Sequence, residues 1–373
     1  MALGYAPFLL QHLKVVAADN APETKVTPTG VLKMLMENNP QIQLPEWQKL
    51  QLTNDMGNIR AVTLKYLKRR SPSDTSEVDS CDNNSLPAYS EMSIQAPYFV
   101  SDSFFIPVSD VLKYEADAAK TVALGAPPTD FMQEHLTTLF TYVNGIVGAI
   151  DKKLIKNIVF GKNIVTGSAA ATTLNIPLTS TNNDLTQGLG KLLADIEANE
   201  FSGKAMLAGG GKFNALMKQK GFTSFNQAGI NNSSALDLFS WYYDNYANAA
   251  SNAFGADNIG VFSKGSIGFV DYQKYIGAFP YKLGNSMFFQ IKLPVMSAQN
   301  DGTVDYMTFD AQLKGYDCPI ELPGAYSNTT VNRGYQLIIS KNYGLFQIPA
   351  DAYSAGDILT GNNGALLYNI TNS

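Results

Sequence analysis

One glycine-rich turn has the residue types that bind phosphate. Residues 209–212 (Gly-Gly-Gly-Lys) lie between a predicted strand at residues 205–208 and a predicted helix. Free backbone amides at the start of a helix can hold an anion. A P-loop needs a glycine five residues before its Gly-Lys pair and Ser or Thr after the lysine. Met206 and Phe213 occupy those positions, so we predict a plain strand-to-helix turn.

A second group of residues has the chemistry of a calcium site. Carboxylates and one amide lie close together in the turn-rich residues 71–85, at Asp74, Glu77, Asp79, Asp82 and Asn84. Such oxygen ligands suit Ca²⁺, but the spacing and the glycine of an EF-hand are absent. We therefore predict a solvated loop without metal.

Catalytic constellations are absent from the sequence. The two histidines are His12 and His135, and neither has a recognisable catalytic context. Cys81 and Cys318 lack the spacing of a zinc site and fit a reducing compartment. The nucleophile motif GxSxG is missing, and the scattered carboxylates single out no glycosidase pair. We predict no catalytic, cofactor or metal site, and no enzymatic activity.

Charges along one predicted hairpin supply the candidate contact residues. A basic cluster lies at the root of the hairpin and carboxylates lie at its tip. Complementary charges of this kind set the register between two surfaces. Contact with nucleic acid, or a solvated run of charges, would give the same pattern. The candidate contacts between subunits are Lys65, Lys68, Arg69, Arg70, Asp74, Glu77, Asp79 and Asp82.

The composition favours a chain that buries much of its surface against partners. Only 16% of the 373 residues are charged, whereas soluble proteins average about 25%. The chain also has 19 Tyr and 20 Phe, and interface cores lose charge and gain aromatic residues. One large soluble protein with a generous core remains the alternative. A net charge of −5 argues against tight nucleic-acid binding, and no apolar run is long enough to span a membrane.

The first third of the chain contains segments that have little core of their own. Residues 1–30 mix apolar and turn residues and are typical of an arm that needs a partner surface to become ordered. A short helix is predicted at residues 31–37. A strand at residues 59–66, the polar tip, and returning apolar residues 89–108 make a long β-hairpin. Two-stranded hairpins are marginal alone, so we expect it to lie on another element or subunit.

The clearest periodicity predicts a helix over residues 130–158. Thr129 or Asp130 can cap its start, and Gly161 lies just past its end. Apolar residues recur at steps of three or four, as in an amphipathic helix, at Met132, Leu136, Phe140, Val143, Val147, Ile150, Leu154 and Ile158.

Helices are also predicted at residues 184–199 and after the glycine-rich turn. The last part alternates like strands. The turn at residues 300–302 (Asn-Asp-Gly) joins strands at residues 289–295 and 303–310 into a hairpin. Two further strands, residues 335–340 and 345–348, are predicted on either side of a turn at residues 341–344.

This order of elements resembles the major capsid proteins of tailed bacteriophages, whose Hong Kong 97-type fold is shared with encapsulins. The resemblance implies an α+β fold with an N-arm, an extended β-hairpin E-loop, a P-domain with a long spine helix, and an A-domain. The turn at residues 209–211 has glycines where these A-domains usually have Asn-Pro. By position, the parts are the arm at 1–52, the E-loop at 53–109, the P-domain at 110–183 and 302–350, the A-domain at 184–301 and a C-terminal tail at 351–373.

The resemblance also implies a function and partners. Copies of the chain would form pentamers and hexamers of an icosahedral virion shell around double-stranded DNA, assembled in the host cytoplasm. Scaffold, portal and decoration proteins would be its partners, with non-specific DNA contact and no membrane. Alternatives are a tail tube protein, which should lack the long helix, or an encapsulin-like shell. A secreted glycan-binding protein or hydrolase, with a signal sequence and a deep aromatic cleft, is the alternative from another class.

Overall fold

The computed structural model describes most of the chain outside its longest connections. The described residues are 5–16, 25–38, 62–67, 89–94, 98–124, 129–175, 183–201, 203–211, 213, 239–244, 254, 258–272, 280–295, 306–316, 334–352 and 358–371. Within them the helices are α1 (Tyr5–Val16), α2 (Gly30–Asn38), α3 (Val108–Leu124), α4 (Asp130–Asn157) and α5 (Asn183–Ala198). None of these helices has the length and apolarity needed to cross a membrane.

Strands make up the rest of the regular structure, so the fold mixes helices and sheets as predicted. In chain order they are β1 (Val62–Leu67), β2 (Tyr89–Ile94), β3 (Tyr98–Pro107), β4 (Thr172–Asn175), β5 (Ala205–Gly209), β6 (Phe239–Tyr243), β7 (Asn258–Phe262), β8 (Ile267–Tyr272), β9 (Tyr281–Leu283), β10 (Ser286–Pro294), β11 (Tyr306–Tyr316), β12 (Gly334–Gln347) and β13 (Ala365–Thr371).

The long helix α4 matches the predicted helix at residues 130–158 to within one residue. Thr129 caps it, and the Thr129 hydroxyl accepts a hydrogen bond from the Met132 amide at 3.3 Å. The predicted apolar stripe is buried along the whole helix, and Leu139, Ile146 and Ile155 join it. The helix packs against α2, α3, β3 and β12, and it forms one side of the larger hydrophobic core.

A six-stranded sheet forms the other side of that core. Its strand order is β3-β12-β11-β10-β9, and β8 pairs with the second half of β12. The predicted hairpin around residues 300–302 is confirmed by the antiparallel pairing of β10 with β11, from Ser286 opposite Lys314 to Pro294 opposite Tyr306. The turn itself lies outside the described residues.

The predicted turn at residues 341–344 is wrong, because β12 runs unbroken from Gly334 to Gln347. Its first half pairs with β11 and its second half with β8, so Lys341 lies where these two partners diverge. The Lys341 ammonium donates a hydrogen bond to the carbonyl of Thr308 and lies 5.5 Å from the ring centre of Phe309. Lys341 and Asn342, two of the residues of the predicted turn, are therefore buried and hydrogen-bonded within the sheet.

A five-stranded sheet with strand order β4-β13-β7-β5-β6 packs against α5 around a second, smaller core. It confirms the predicted strand at residues 205–208 as β5 and the predicted helix at 184–199 as α5. The predicted C-terminal tail, residues 351–373, contains β13, which lies between β4 and β7. The side chains of β13 explain why it is part of the sheet, because four of them are buried in the protein: Ala365, Leu366, Tyr368 and Ile370.

Strand pairing does not follow the predicted domain boundaries. Strands β8, β9 and β10 lie within residues 184–301, yet they belong to the six-stranded sheet with β11 and β12. Strand β4 lies within residues 110–183 and belongs to the five-stranded sheet. The division into arm, E-loop, P-domain and A-domain stays a prediction.

Replacing Lys341 with Met should destabilise the fold by removing a buried hydrogen bond. Lys341→Met keeps most of the stem but leaves the Thr308 carbonyl without the ammonium. We expect the free energy of unfolding to fall by about 1–3 kcal/mol in chemical denaturation. Lys292→Met, on the exposed side of β10, is the matched control and should change it by less than about 0.5 kcal/mol. Equal effects of the two changes would contradict the role given to Lys341.

Candidate assembly surfaces

One of the predicted contact residues, Lys65, lies among the described residues. Lys65 lies in β1, opposite Glu91 of β2. The remaining candidates lie outside the described residues: Lys68, Arg69, Arg70, Asp74, Glu77, Asp79 and Asp82. In sequence, residues 68–70 come directly after Leu67, the end of β1 that pairs with Tyr89. Contacts between subunits stay a prediction.

The hairpin that carries Lys65 is a two-stranded sheet of its own among the described strands. Strands β1 and β2 pair only with each other among the described strands, from Val62 opposite Ile94 to Leu67 opposite Tyr89. Five steps along such a strand span about 17 Å. Residues 95–97 link β2 to β3, and β2 approaches β12. We call β1 and β2 together the ribbon. A two-stranded ribbon is marginal alone, so it needs a further surface to lie on.

The exposed side of α4 has a charge pattern that runs along the helix. Asp130 and Glu134 are exposed near its start. Lys152, Lys153 and Lys156 are exposed near its end, and none of them forms an ion pair with a described residue. Lys153 instead donates a hydrogen bond to the carbonyl of Phe99 at 2.8 Å. The end of the exposed side is therefore positively charged.

The middle of the same exposed side has no charge. The hydroxyls of Thr137, Thr138 and Thr141 donate to backbone carbonyls one turn earlier, at 2.8–2.9 Å. Their hydrogen-bonding capacity is thus used within the helix. At Gly145 an added Cβ would meet no atom within 4 Å, so the backbone is open to close approach. An uncharged stretch between acidic and basic ends is suited to contact with another chain.

The N-terminal helix α1 is held on the body of its own chain by aromatic side chains. Tyr5 is fully buried, and its hydroxyl lies 2.5 Å from His135 Nε2 on α4. The rings of Tyr5 and Tyr114 are 5.3 Å apart, and those of Tyr114 and His135 are 4.8 Å apart. Burial raises the pKa of Tyr5 well above its ordinary value, and nearby Tyr114 adds to this. The surface that orders this part of the predicted arm is the same chain.

Apolar side chains pack closely against Gly209, the first glycine of the glycine-rich turn. An added Cβ on Gly209 would lie 2.8 Å from both Ile259 and Phe213. Close packing therefore explains the glycine at position 209. Lys212 lies outside the described residues, so the plain turn stays a prediction.

Two buried aspartates meet at the start of α2. Asp151 of α4 and Asp244, which follows β6, are both fully buried. The Val31 amide donates to Asp244 Oδ2 at 3.0 Å, and the Leu32 amide donates to Asp151 Oδ1 at 2.9 Å. Burial raises the pKa of Asp151 well above its ordinary value, and the neighbouring charge of Asp244 raises it further. The two carboxyl groups together thus cap the helix.

A network of buried amides fixes the C-terminal strand. Asn199 Nδ2 donates to Asn163 Oδ1 at 3.0 Å, and Asn362 Nδ2 donates to Asn199 Oδ1 at 2.7 Å. The Tyr368 hydroxyl of β13 donates to Asp195 Oδ2 at 3.2 Å. Burial, followed by the charge of Asp195, raises the pKa of Tyr368, so this hydroxyl stays neutral. The network joins the loop after α4, the end of α5 and residues 362–368.

Sequence reasoning missed these buried polar groups. A signal existed for Asp151, which lies four residues after Val147 and four before Ile155, on the buried side of the helix. A charged residue within an apolar stripe indicates a paired or protonated group. Asn163, Asn199 and Asn362 gave no such signal, because they lie in irregular segments far apart in sequence.

The chain is similar in structure to bacteriophage proteins. No protein-family model and no curated sequence matches it. A structure from Mycobacterium phage Adephagia has 9% identity, covers 87% of this chain and 90% of that chain, and gives a TM-score of 0.44. The capsid structure of Cyanophage P-SCSP1u has 12% identity, 84% coverage of each chain and a TM-score of 0.40. The bacteriophage PhiM1 mature capsid has 10% identity, covers 86% and 84%, and gives 0.37.

Acidification should weaken the packing of α1 on the long helix. Burial lowers the pKa of His135 from 6.5 to about 4, against an opposing effect of Asp110. The unfolded chain takes up this proton near pH 6.5 and the folded chain only near pH 4, so stability falls as the pH falls through that window. We expect His135→Gln, which can still bond Tyr5 and does not titrate, to lose less thermal stability than wild type.

The matched control is His12→Gln, which changes the other histidine of the chain. It should lose as much thermal stability as wild type between pH 6.5 and about pH 4. The role of His135 would be refuted by acid sensitivity that is the same in wild type and in His135→Gln.

Proposed function

We propose that this chain is the major capsid protein of a tailed bacteriophage, a structural subunit and not an enzyme. Copies of it form pentamers and hexamers of an icosahedral shell around double-stranded DNA. The observation that carries the proposal is the ribbon, whose two strands pair with no other described strand. A segment of this kind is stabilised when it lies on a neighbouring copy.

In this proposal the ribbon is part of the E-loop, which is predicted at residues 53–109. The long helix α4 is the spine of the P-domain, and residues 184–301 contain the A-domain. The arm at residues 1–52 starts with α1 and α2, which pack on their own chain. In this proposal the arm reaches a neighbour through the residues between and beyond these helices.

Partners in this proposal are scaffold, portal and decoration proteins, as well as packaged DNA. With a net charge of −5 the chain attracts DNA weakly, which suits non-specific contact on the inner face of a virion. Assembly takes place in the host cytoplasm.

The long helix distinguishes the proposed capsid protein from a tail tube protein. A tail tube subunit should lack it, whereas α4 has 28 residues. An encapsulin-like shell has the same parts, so the fold does not distinguish it from a phage capsid. Neighbouring genes do: portal, protease or terminase genes favour the phage capsid.

One observation bears on the glycan-binding alternative. A groove of about 530 Å³ between α2 and β6 is lined in part by Trp241 and Tyr243. Tyr242 in the same groove already donates to Glu37 at 2.9 Å. Glycan binding that Trp241→Ala abolishes would favour this alternative over the shell.

Within the shell, we assign the ribbon of one copy to the exposed side of α4 on the next. The acidic tip, residues 71–85, then meets Lys152, Lys153 and Lys156. Lys68 and Glu77 can be at most about 30 Å apart along the chain. That reach covers the roughly 27 Å from Glu134 to Lys152 along the helix. The basic residues after β1 can therefore face the acidic start of the helix in the same contact.

Electron microscopy tests assembly directly. The chain, produced alone or with a scaffold protein encoded beside it, should form capsomers or closed shells. Replacing residues 62–94 with a short Gly-Ser linker should leave a folded subunit that forms none, because the ribbon is removed. The same replacement in the exposed turn at residues 165–170 is the control and should allow shells. Monomers alone, with scaffold supplied, would contradict the proposal.

Reversing the lysine charges on α4 should weaken assembly. We expect Lys152→Glu combined with Lys156→Glu to lower shell yield severalfold, since the acidic tip would meet like charge. Adding Glu77→Lys and Asp79→Lys should restore yield. Lys120→Glu on α3 with Lys191→Glu on α5, two other exposed lysines, is the matched control and should assemble normally. Normal assembly of the first pair of changes would exclude this contact while leaving the capsid proposal intact.

A further inference from the structure

We propose that Asp151 and Asp244 form a proton-operated latch, which fastens residues 25–38 to the body of the subunit and releases them when both carboxyl groups are ionised. The latch joins three parts of the chain: α2, the long helix α4, and the five-stranded sheet. It is a property of the single chain and does not depend on the proposed assembly.

The contacts of the latch connect residues that are distant in sequence. Val31 and Asp244 are 213 residues apart, and Leu32 and Asp151 are 119 residues apart. Asp244 is itself fixed to the sheet, because its amide donates to the Gly209 carbonyl at 3.0 Å. Breaking the two amide bonds would free the start of α2 from both the helix and the sheet.

The shape of the site brings the two carboxyl groups together at Gly30. This glycine has a φ of +58°, a conformation that side chains rarely adopt. A Cβ added there would lie 2.0 Å from Asp244 Oδ2 and 2.6 Å from Asp151 Oδ2. The two oxygens therefore converge on one point, and Asp151 Oδ2 is buried without a hydrogen-bond partner. Only one of two converging carboxyl groups can be ionised at low cost.

The surroundings supply compensation for one negative charge. The first amides of α2 and the helix dipole stabilise a single carboxylate. On α2, Lys33 and Glu37 pair with each other at 3.8 Å. Next to Asp151 on α4, Lys152 and Lys153 are exposed. Strands β5 and β6 have no charged residue, and β8, which also packs on α2, has Asp271 as its one charged residue.

Ionisation of both groups should open the latch toward solvent. The pKa of Asp151 is raised, so the folded chain holds a proton that the unfolded chain has already lost. The stability that this group contributes is therefore lost as the pH rises toward the raised pKa, the reverse of an ordinary aspartate. The groove beside α2, lined by Gly30 and Trp241, gives water access when the two carboxylates repel.

Trp241 reports on this movement, because it lines the groove beside Gly30. Trp47→Phe leaves Trp241 as the single tryptophan. In that background we expect the emission to shift to the red as the pH rises from 5 to 10. Hydrogen exchange at the Val31 and Leu32 amides, corrected for intrinsic rates, should lose protection by up to about tenfold per pH unit as the pH rises toward the raised pKa.

Neutral variants test the role of the proton. Asp151→Asn can donate to Asp244 and still accept from Leu32, so it should keep the latch closed at every pH. In Asp244→Asn the new amide can donate to Asp151, so this variant should also keep the latch closed at every pH. It provides the test if Asp151→Asn folds poorly. Asp195→Asn, at another buried aspartate, is the control and should open as wild type does.

Two results would overturn the proposal. One is a wild-type chain in which Val31 and Leu32 stay protected and Trp241 emission stays constant up to pH 10. The other is a transition that both asparagine variants undergo at the wild-type pH. Neither result bears on whether the chain forms shells.

Discussion

The long helix α4 has an unbroken apolar stripe that must be buried. The positions of the helices and strands around it depend on covering this stripe. Helices α2 and α3 and strands β3 and β12 all pack against it, and its buried residues run from Met132 to Ile155. Burial of a stripe this long is a large stabilising term, since each buried apolar side chain contributes roughly 1.5–3 kcal/mol. A helix buried on one side leaves the other side open. Here that side is uncharged in its middle and oppositely charged at its ends, a pattern that can orient a second chain.

Buried polar groups then decide how distant segments join around this helix. Apolar packing alone would tolerate several arrangements, whereas a buried polar group left unpaired costs about 1–3 kcal/mol. Lys341 holds β12 at the point where it changes partners. The amide network around Asn199 fixes β13 in its sheet, and Asp151 with Asp244 fixes the start of α2. Three such sites connect the two ends of the chain to its middle.

How well the sequence predicted each element depended on how local its causes are. The helix at residues 130–158 was predicted almost to the residue, because its cap and its stripe lie within the helix itself. The turn predicted at residues 341–344 was wrong, because the residues that pair with Lys341 and Asn342 lie more than 30 positions away in the sequence. Helix α3 was missed because its buried stripe is short, with Val111, Tyr114 and Ala118. The charges of the hairpin were visible in the sequence, but the surface they meet cannot be read from one chain.

We propose that the ribbon of one copy lies on α4 of the next copy. Zero-length crosslinking of carboxylates to lysines tests this contact most directly. Particles would be assembled from an equal mixture of ¹⁴N- and ¹⁵N-labelled chains. The account predicts crosslinks between the acidic residues 74–82 and Lys152, Lys153 or Lys156, about half of them joining a labelled chain to an unlabelled one. Crosslinks between these residues that always join two peptides with the same label would place the ribbon on its own subunit and contradict the account.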